Sequence, residues 1–291
     1  MNRALLVFLG VSFGFSWGLA EFSYRVWQPE PIGQVLMLML YMWGPALGAI
    51  AARCLVQRQP LRTLGPLFRW SPWLLVAWLS PLLFALLHVL LAVAAPGVTL
   101  SIDVAAVREV ILLAVGPAQQ AEVSAQLDAL GDWLVLAMLA QIVFGGLIAG
   151  ATVNAIGALG EELGWRGFLP QQWAGLGFWR CHGLIGLVWG VWHWPVILRG
   201  HNYPQHPEWG LLMMLLFCLS ASPLLGYLRE RAGSLLAPVL AHGVVNGSSG
   251  VVLFLAGASD LWRGPAGMAG VLVLAAANLL LWRRMRSAVS G

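Results

Sequence analysis

Charge is scarce in this chain, and one basic residue type is missing altogether. Only 10% of the 291 residues are charged, and all 16 basic positions are arginine, none lysine. The arginines lie between hydrophobic segments rather than in a cluster. The net charge of +4 and the isoelectric point near 9.4 therefore do not describe a nucleic-acid surface. Cysteine is sparse as well: Cys54, Cys181 and Cys218 sit in or beside apolar segments, odd in number and without short paired spacing. That excludes a disulfide framework and a zinc-ribbon pattern, and leaves three small buried hydrophobes. There is no His-Glu-x-x-His motif, no internal repeat, no low-complexity tract and no linker that would separate domains. Residues 1–291 read as one unit.

What the chain has in abundance is apolar surface: 59% hydrophobic residues, 16 tryptophans and a mean hydropathy of +0.79. A soluble domain of this length could not cover so much of it, so the bilayer must act as solvent. A spanning helix needs about 20 mostly apolar residues. Eight segments qualify: 4–20, 35–56, 73–95, 133–159, 183–198, 209–228, 235–255 and 266–282. The first resembles a signal peptide at its Arg3 end, but it is long for one and further spans follow, which favours a retained helix. The expected fold is an all-α polytopic membrane protein, a bundle of about eight transmembrane helices enclosing a polar cavity. Counting alternate connections from a cytoplasmic N-terminus places 12 of the 16 arginines on one side. Cytoplasmic loops carry the positive charge, so both termini are expected in the cytoplasm. The connection 96–132 is the one sizeable stretch outside the membrane, with short surface helices expected over 104–115 and 118–130.

Ionisable groups in hydrocarbon cost roughly 2.5–3.5 kcal/mol each on insertion scales, so those present are functional candidates. Glu161, Glu162 and Arg166 end the fourth segment. On a helix Glu162 and Arg166 share a face in the favourable acid-before-base order, while Glu161 is turned about 100° away. That spacing suits a structural acid beside a working one. His193 stands in the run Trp-Gly-Val-Trp-His-Trp-Pro, and His242 and Asn246 lie four apart on one face of the seventh segment. In hydrocarbon these groups must point into the bundle, so the three helices are expected to converge on one cavity. A carboxylate and an imidazole sharing a water can remove its proton, and a second imidazole and an amide can donate to a developing oxyanion. Those are the elements of a peptide hydrolase without a covalent nucleophile. The same residues could instead hold zinc, with Glu161, His193 and His242 as ligands. His88 and Asn154 read as interhelical hydrogen-bonding residues, and His182, His201 and His206 as solvated groups at segment ends or in a loop.

Glu161-Glu162-x-x-x-Arg166, an aromatic-x-x-x-His at Trp189 to His193, and His242-x-x-x-Asn246 resemble, in order and spacing, the CAAX-protease and bacteriocin-processing (CPBP) family of intramembrane endopeptidases. The three motifs fall within region 158–246. The resemblance implies that Glu161 and His193 activate water, that His242 and Asn246 form the oxyanion site, and that Glu162 and Arg166 support the first glutamate. It implies a membrane-associated peptide or protein substrate, no nucleic acid, and no cofactor or else zinc. Glu-Glu-Leu-Gly-Trp-Arg-Gly and Trp-His-Trp-Pro look like bacterial members, which implies the bacterial inner membrane. One departure is Trp189, where the family motif usually begins with Phe; it reads as a change of cavity shape rather than of chemistry. Two other functions fit the same residues: a non-catalytic scaffold or bacteriocin-immunity factor binding a peptide in the cavity, and a proton-relay transporter. The transporter lacks the paired broken helices or inverted repeats common in that class.

Overall fold

The computed structural model describes residues 2–29, 31–115 and 117–290. The chain is a bundle of helices: α1 (Arg3–Phe22), α2 (Pro31–Tyr41), α3 (Gly44–Ile50), α4 (Trp73–Ala92), α5 (Val104–Ala114), α6 (Pro117–Leu130) and α7 (Trp133–Phe144). They continue with α8 (Val153–Glu162), α9 (Leu169–Gln172), α10 (Phe178–Trp192), α11 (Trp194–Ile197), α12 (Pro207–Ala232), α13 (Leu236–Ser248) and α14 (Met268–Ser290). Two short strands, β1 (Thr99–Leu100) and β2 (Leu255–Ala256), pair antiparallel and tie the segment after α4 to the end of α13. The stretches 104–115 and 118–130, where short helices are expected, are covered by α5 and α6. Asp103 caps the first of them by accepting the Ala106 N–H at 2.9 Å.

Among the described residues, six helices are long and apolar enough to cross a membrane, or up to seven if the bent pair Gln120–Leu130 and Trp133–Ala149 is one span. Two of the eight expected segments account for the difference. The fourth, 133–159, is interrupted after Ala149 and resumes as α8 at Val153. The fifth becomes the 15-residue α10, because Pro195 lacks the N–H that would bond one turn back and the helix stops at Trp192. The carbonyl freed at that break is not left bare: Trp192 O accepts Tyr41 Oη–H and, at 3.0 Å, Trp17 Nε1–H.

Small residues set how closely the helices approach. α10 lies on α12, α13 on both α4 and α8, and α1 on α3. A Cβ at Gly186 would stand 2.7 Å from Cys218 O and 2.7 Å from Leu219 Cα, so this glycine lets α10 press on the α12 backbone. Gly150 allows the same against α13, where a Cβ would be 2.7 Å from Val244 Cα. Gly186→Ala is expected to cost about 1–3 kcal/mol of stability by overpacking. Thermal unfolding in detergent checks this, and an unchanged midpoint would remove Gly186 from the packing account. The central core holds Trp165, Trp192, Tyr41, Phe8 and Phe168, with Phe8 stacked on Phe168 at 4.9 Å. These large side chains surround the end of α8 that carries the two glutamates.

Candidate active site

The two adjacent carboxylates diverge as a helix requires, and each finds its own partners. Glu162 Oε1 accepts Arg166 Nη1–H at 2.9 Å, one helical turn on, with both side chains wholly buried. The chain there follows a wider π-helical turn over Leu163–Phe168, closed by the Leu169 N–H on Gly164 O. The same Glu162 oxygen accepts His242 Nδ1–H from α13, also at 2.9 Å. Glu161 has different company. Its Oε2 accepts Trp165 Nε1–H at 3.1 Å and Trp189 Nε1–H at 2.6 Å, and the residue is 1% exposed.

His193 caps the C-terminal end of α10, with Nδ1 2.8 Å from Trp189 O. A carbonyl only accepts, so Nδ1 carries the proton and Nε2 keeps its lone pair. The imidazole is thus set as a proton acceptor at the nitrogen away from its own helix. Cys218 Sγ on α12 lies 3.9 Å from the same Nδ1. On α13, the His242–Glu162 bond likewise puts the proton on Nδ1. Nε2 of His242 can then donate to an oxyanion only when the ring is doubly protonated.

Glu161, His193, His242 and Asn246 all line one cavity of about 620 Å³, together with Tyr41, Trp189, Trp192, Asn154, His201 and Asn202. Its remaining wall is mostly apolar and comes from α2, α4, α12, α13 and α14, including Met39, Phe84, Leu87, Phe217 and Leu228. Glu162 and Arg166 stand behind that wall rather than in it. The three helices singled out by their polar residues do converge. Asn246 is exposed to the open space, whereas His242 is buried at its edge.

The Glu162 carboxylate holds Arg166 and His242, and the first glutamate is held by two indoles. Two expectations need correction. Trp189 is more than a change of shape, because a phenylalanine has no N–H to give Glu161. His182 is not a solvated segment end: α10 starts at Phe178, and the ring is 3% exposed and pressed on α12. A Cβ at Gly226 would overlap its Cε1. His206 lies outside the cavity, its Nδ1 2.7 Å from Asp260 Oδ1. His88 is fully buried, with Nδ1 3.2 Å from Phe84 O.

As to zinc, no group of three His, Cys, Asp or Glu side chains among the described residues is placed to hold a metal ion. The bonds made by the alternative ligands engage Nδ1 of His193 and His242 and Oε2 of Glu161, and leave Nε2 of both rings and Glu161 Oε1 for other partners.

Tyr41 and Trp165 are polar contributors that motif spacing does not pick out. Trp165 carried a usable signal, since it lies four residues after Glu161 and so on the same helix face. Tyr41 carried none, because only the fold brings it to Trp192.

Comparison with known proteins gives a likeness for the part of the chain that carries this arrangement. Residues 132–248 match the family model described as type II CAAX prenyl endopeptidase, Rce1-like. The matched stretch runs from the start of α7 to the end of α13 and contains every residue of the three motifs. No curated protein matches the chain in sequence. In its cavity-lining motif residues and over residues 132–248, the chain is similar to the CAAX protease (CPBP) family of membrane endopeptidases.

Proposed function

We propose that this protein hydrolyses a peptide bond of a membrane-associated peptide or protein, using water activated by Glu161 and His193 and an oxyanion site formed by His242 and Asn246. The observation that carries this reading is that all four residues line the same cavity, with the His193 Nε2 lone pair left open. A water between the Glu161 carboxylate and that nitrogen gives up a proton as it attacks the scissile carbonyl. The negative charge then developing on the carbonyl oxygen is met by the His242 imidazolium and the Asn246 amide. Collapse of the tetrahedral species expels the amine, which takes back the proton. In this reading the glutamate is the base and no metal is involved.

Counted over the eight apolar segments, the arginine distribution supports cytoplasmic termini, and on that count the end of α8, and with it the scission, lies towards the cytoplasmic face of the membrane. The bacterial inner membrane is the location suggested by the motif wording Glu-Glu-Leu-Gly-Trp-Arg-Gly. All 291 residues serve as a single catalytic unit, with 96–132 outside the bilayer.

Quantitative membrane proteomics on cells expressing wild-type protein or the Glu161→Ala variant tests the reading. Cleavage products should disappear in the variant. If they persist, or if the variant restores the phenotype of a deletion strain, the peptide-binding scaffold or immunity role takes its place. The purified enzyme should also keep full activity after stringent chelation, with no stoichiometric zinc by elemental analysis. Activity lost on chelation and regained with zinc would reinstate the metal mechanism.

A further inference from the structure

An aromatic residue four positions before His193 needs only to wall the cavity, and a phenylalanine would do that. Trp189 adds one N–H, and the fold uses it. The indole donates to Glu161 Oε2 at 2.6 Å, the shorter of the two bonds on that oxygen. Its own carbonyl accepts His193 Nδ1–H at 2.8 Å. The Arg166 guanidinium lies 4.6 Å from its ring centroid, and the His242 ring meets it edge-on at 5.4 Å. One residue, 2% exposed, thus touches both members of the water-activating pair and two of the groups behind them.

We propose that Trp189 is a positioning residue for the reaction: its indole N–H fixes which oxygen of Glu161 works on water. The proposal rests on the assignment of Glu161 as the base. With Oε2 occupied by Trp189 and Trp165, only Oε1 is left to take the proton of a water in the cavity. The two N–H groups also lock the carboxylate plane, since neither Arg166 nor His242 bonds Glu161. Trp165 alone, at 3.1 Å, would leave the carboxylate free to pivot about a single contact. A misplacement of about 1 Å in a reacting group costs on the order of 100-fold in rate, so losing one of two anchors falls on turnover rather than on substrate affinity. The Arg166 cation over the indole face draws electron density from the ring and strengthens its N–H as a donor. Trp189 in this way couples the Glu162–Arg166 pair to Glu161 without a direct bond between the two glutamates.

The test removes the N–H and keeps the ring. Trp189→Phe and, by amber suppression, replacement with 3-benzothienylalanine, which has the shape of indole with sulfur in place of N–H, are purified as full chains in nanodiscs. Both should lower kcat by about 10- to 100-fold with KM within about twofold of wild type. The isostere keeps the packing, so it remains informative if the phenylalanine variant folds poorly. A second readout needs no turnover. With 15N-labelled indoles, the N–H resonance absent from the isostere should lie downfield in wild type and move upfield in Glu161→Ala. Wild-type kcat in the isostere, or a resonance unmoved by Glu161→Ala, overturns the proposal. If Glu161→Ala itself cleaves at the wild-type rate, the assignment of Glu161 falls and this proposal with it. An inactive Glu161→Ala beside a fully active isostere overturns only the role of Trp189.

Discussion

Glu161→Gln lowers kcat/KM for peptide cleavage by about three orders of magnitude, within the 100- to 10,000-fold that a positioned general base supplies. That corresponds to about 4 kcal/mol of lost transition-state stabilisation. Glutamine is the instructive replacement because it keeps a carbonyl oxygen for the two indole donors at Trp165 and Trp189. The side chain then presents an NH2 group to the cavity, which cannot take a proton from water. Folding, membrane insertion and unfolding midpoint should stay at wild-type values, because no buried bond has been broken. His193→Ala should give a loss of similar size, and the double variant little more, since the two groups act on one water and their effects do not add. Steady-state kinetics on a peptide spanning a cleavage site found by proteomics makes the measurement. A Glu161→Gln enzyme within threefold of wild type would assign the base elsewhere in the cavity.

The contacts of this site differ in how far the sequence reveals them, and the difference follows sequence separation. The Glu162–Arg166 pair is readable because one helical turn fixes which side chains meet. The Glu162–His242 bond joins positions 80 residues apart. Spacing gives each residue a face, but which faces meet depends on close approaches such as Gly150 against Val244, which hydropathy does not encode. The convergence of three helices follows from the cost of polar groups in hydrocarbon; the pairing inside the convergence does not.

The span count shows the same limit from another side. Hydropathy registers that 133–159 and 183–198 are apolar, but not that the first breaks after Ala149 or that the second forms only 15 helical residues. Pro195 announced the end of α10. What it could not announce is that the Trp192 carbonyl left open at that end would be taken up by Tyr41 and Trp17. Aromatic residues in an apolar run read as packing. Trp165 and Trp189 acquire chemistry only because their N–H groups are aimed at a buried carboxylate. A polar handle on an apolar side chain becomes functional through direction, which only the fold supplies.

The largest effect on stability is expected at Arg166, and it separates what holds the protein together from what makes it work. Glu162 and Arg166 are fully buried, and Arg166→Ala leaves the Glu162 carboxylate with only the His242 Nδ1–H on Oε1. An uncompensated buried charge of this kind destabilises by about 3–5 kcal/mol. The intact pair is not itself a strong source of stability: Glu162 Oε2 and the Arg166 Nε and Nη2 atoms have no hydrogen-bond partner among the described residues. Removing both charges at once is therefore expected to restore part of that stability. Glu162→Leu with Arg166→Met should unfold between Arg166→Ala and wild type, since similar apolar volume commonly replaces a buried ion pair without loss while the His242 Nδ1–H left without its acceptor costs about 1–3 kcal/mol. Activity should not return with it. Without Oε1, the His242 ring loses the acceptor that fixes its Nδ1 proton and its direction, and the oxyanion site loses one donor, a change that costs about 100- to 1,000-fold in kcat. Equilibrium unfolding of the three proteins in one detergent, paired with their kcat values, makes the comparison. A stable and fully active double variant would show that the second glutamate serves the fold alone, whereas a stable and inactive one assigns it to His242.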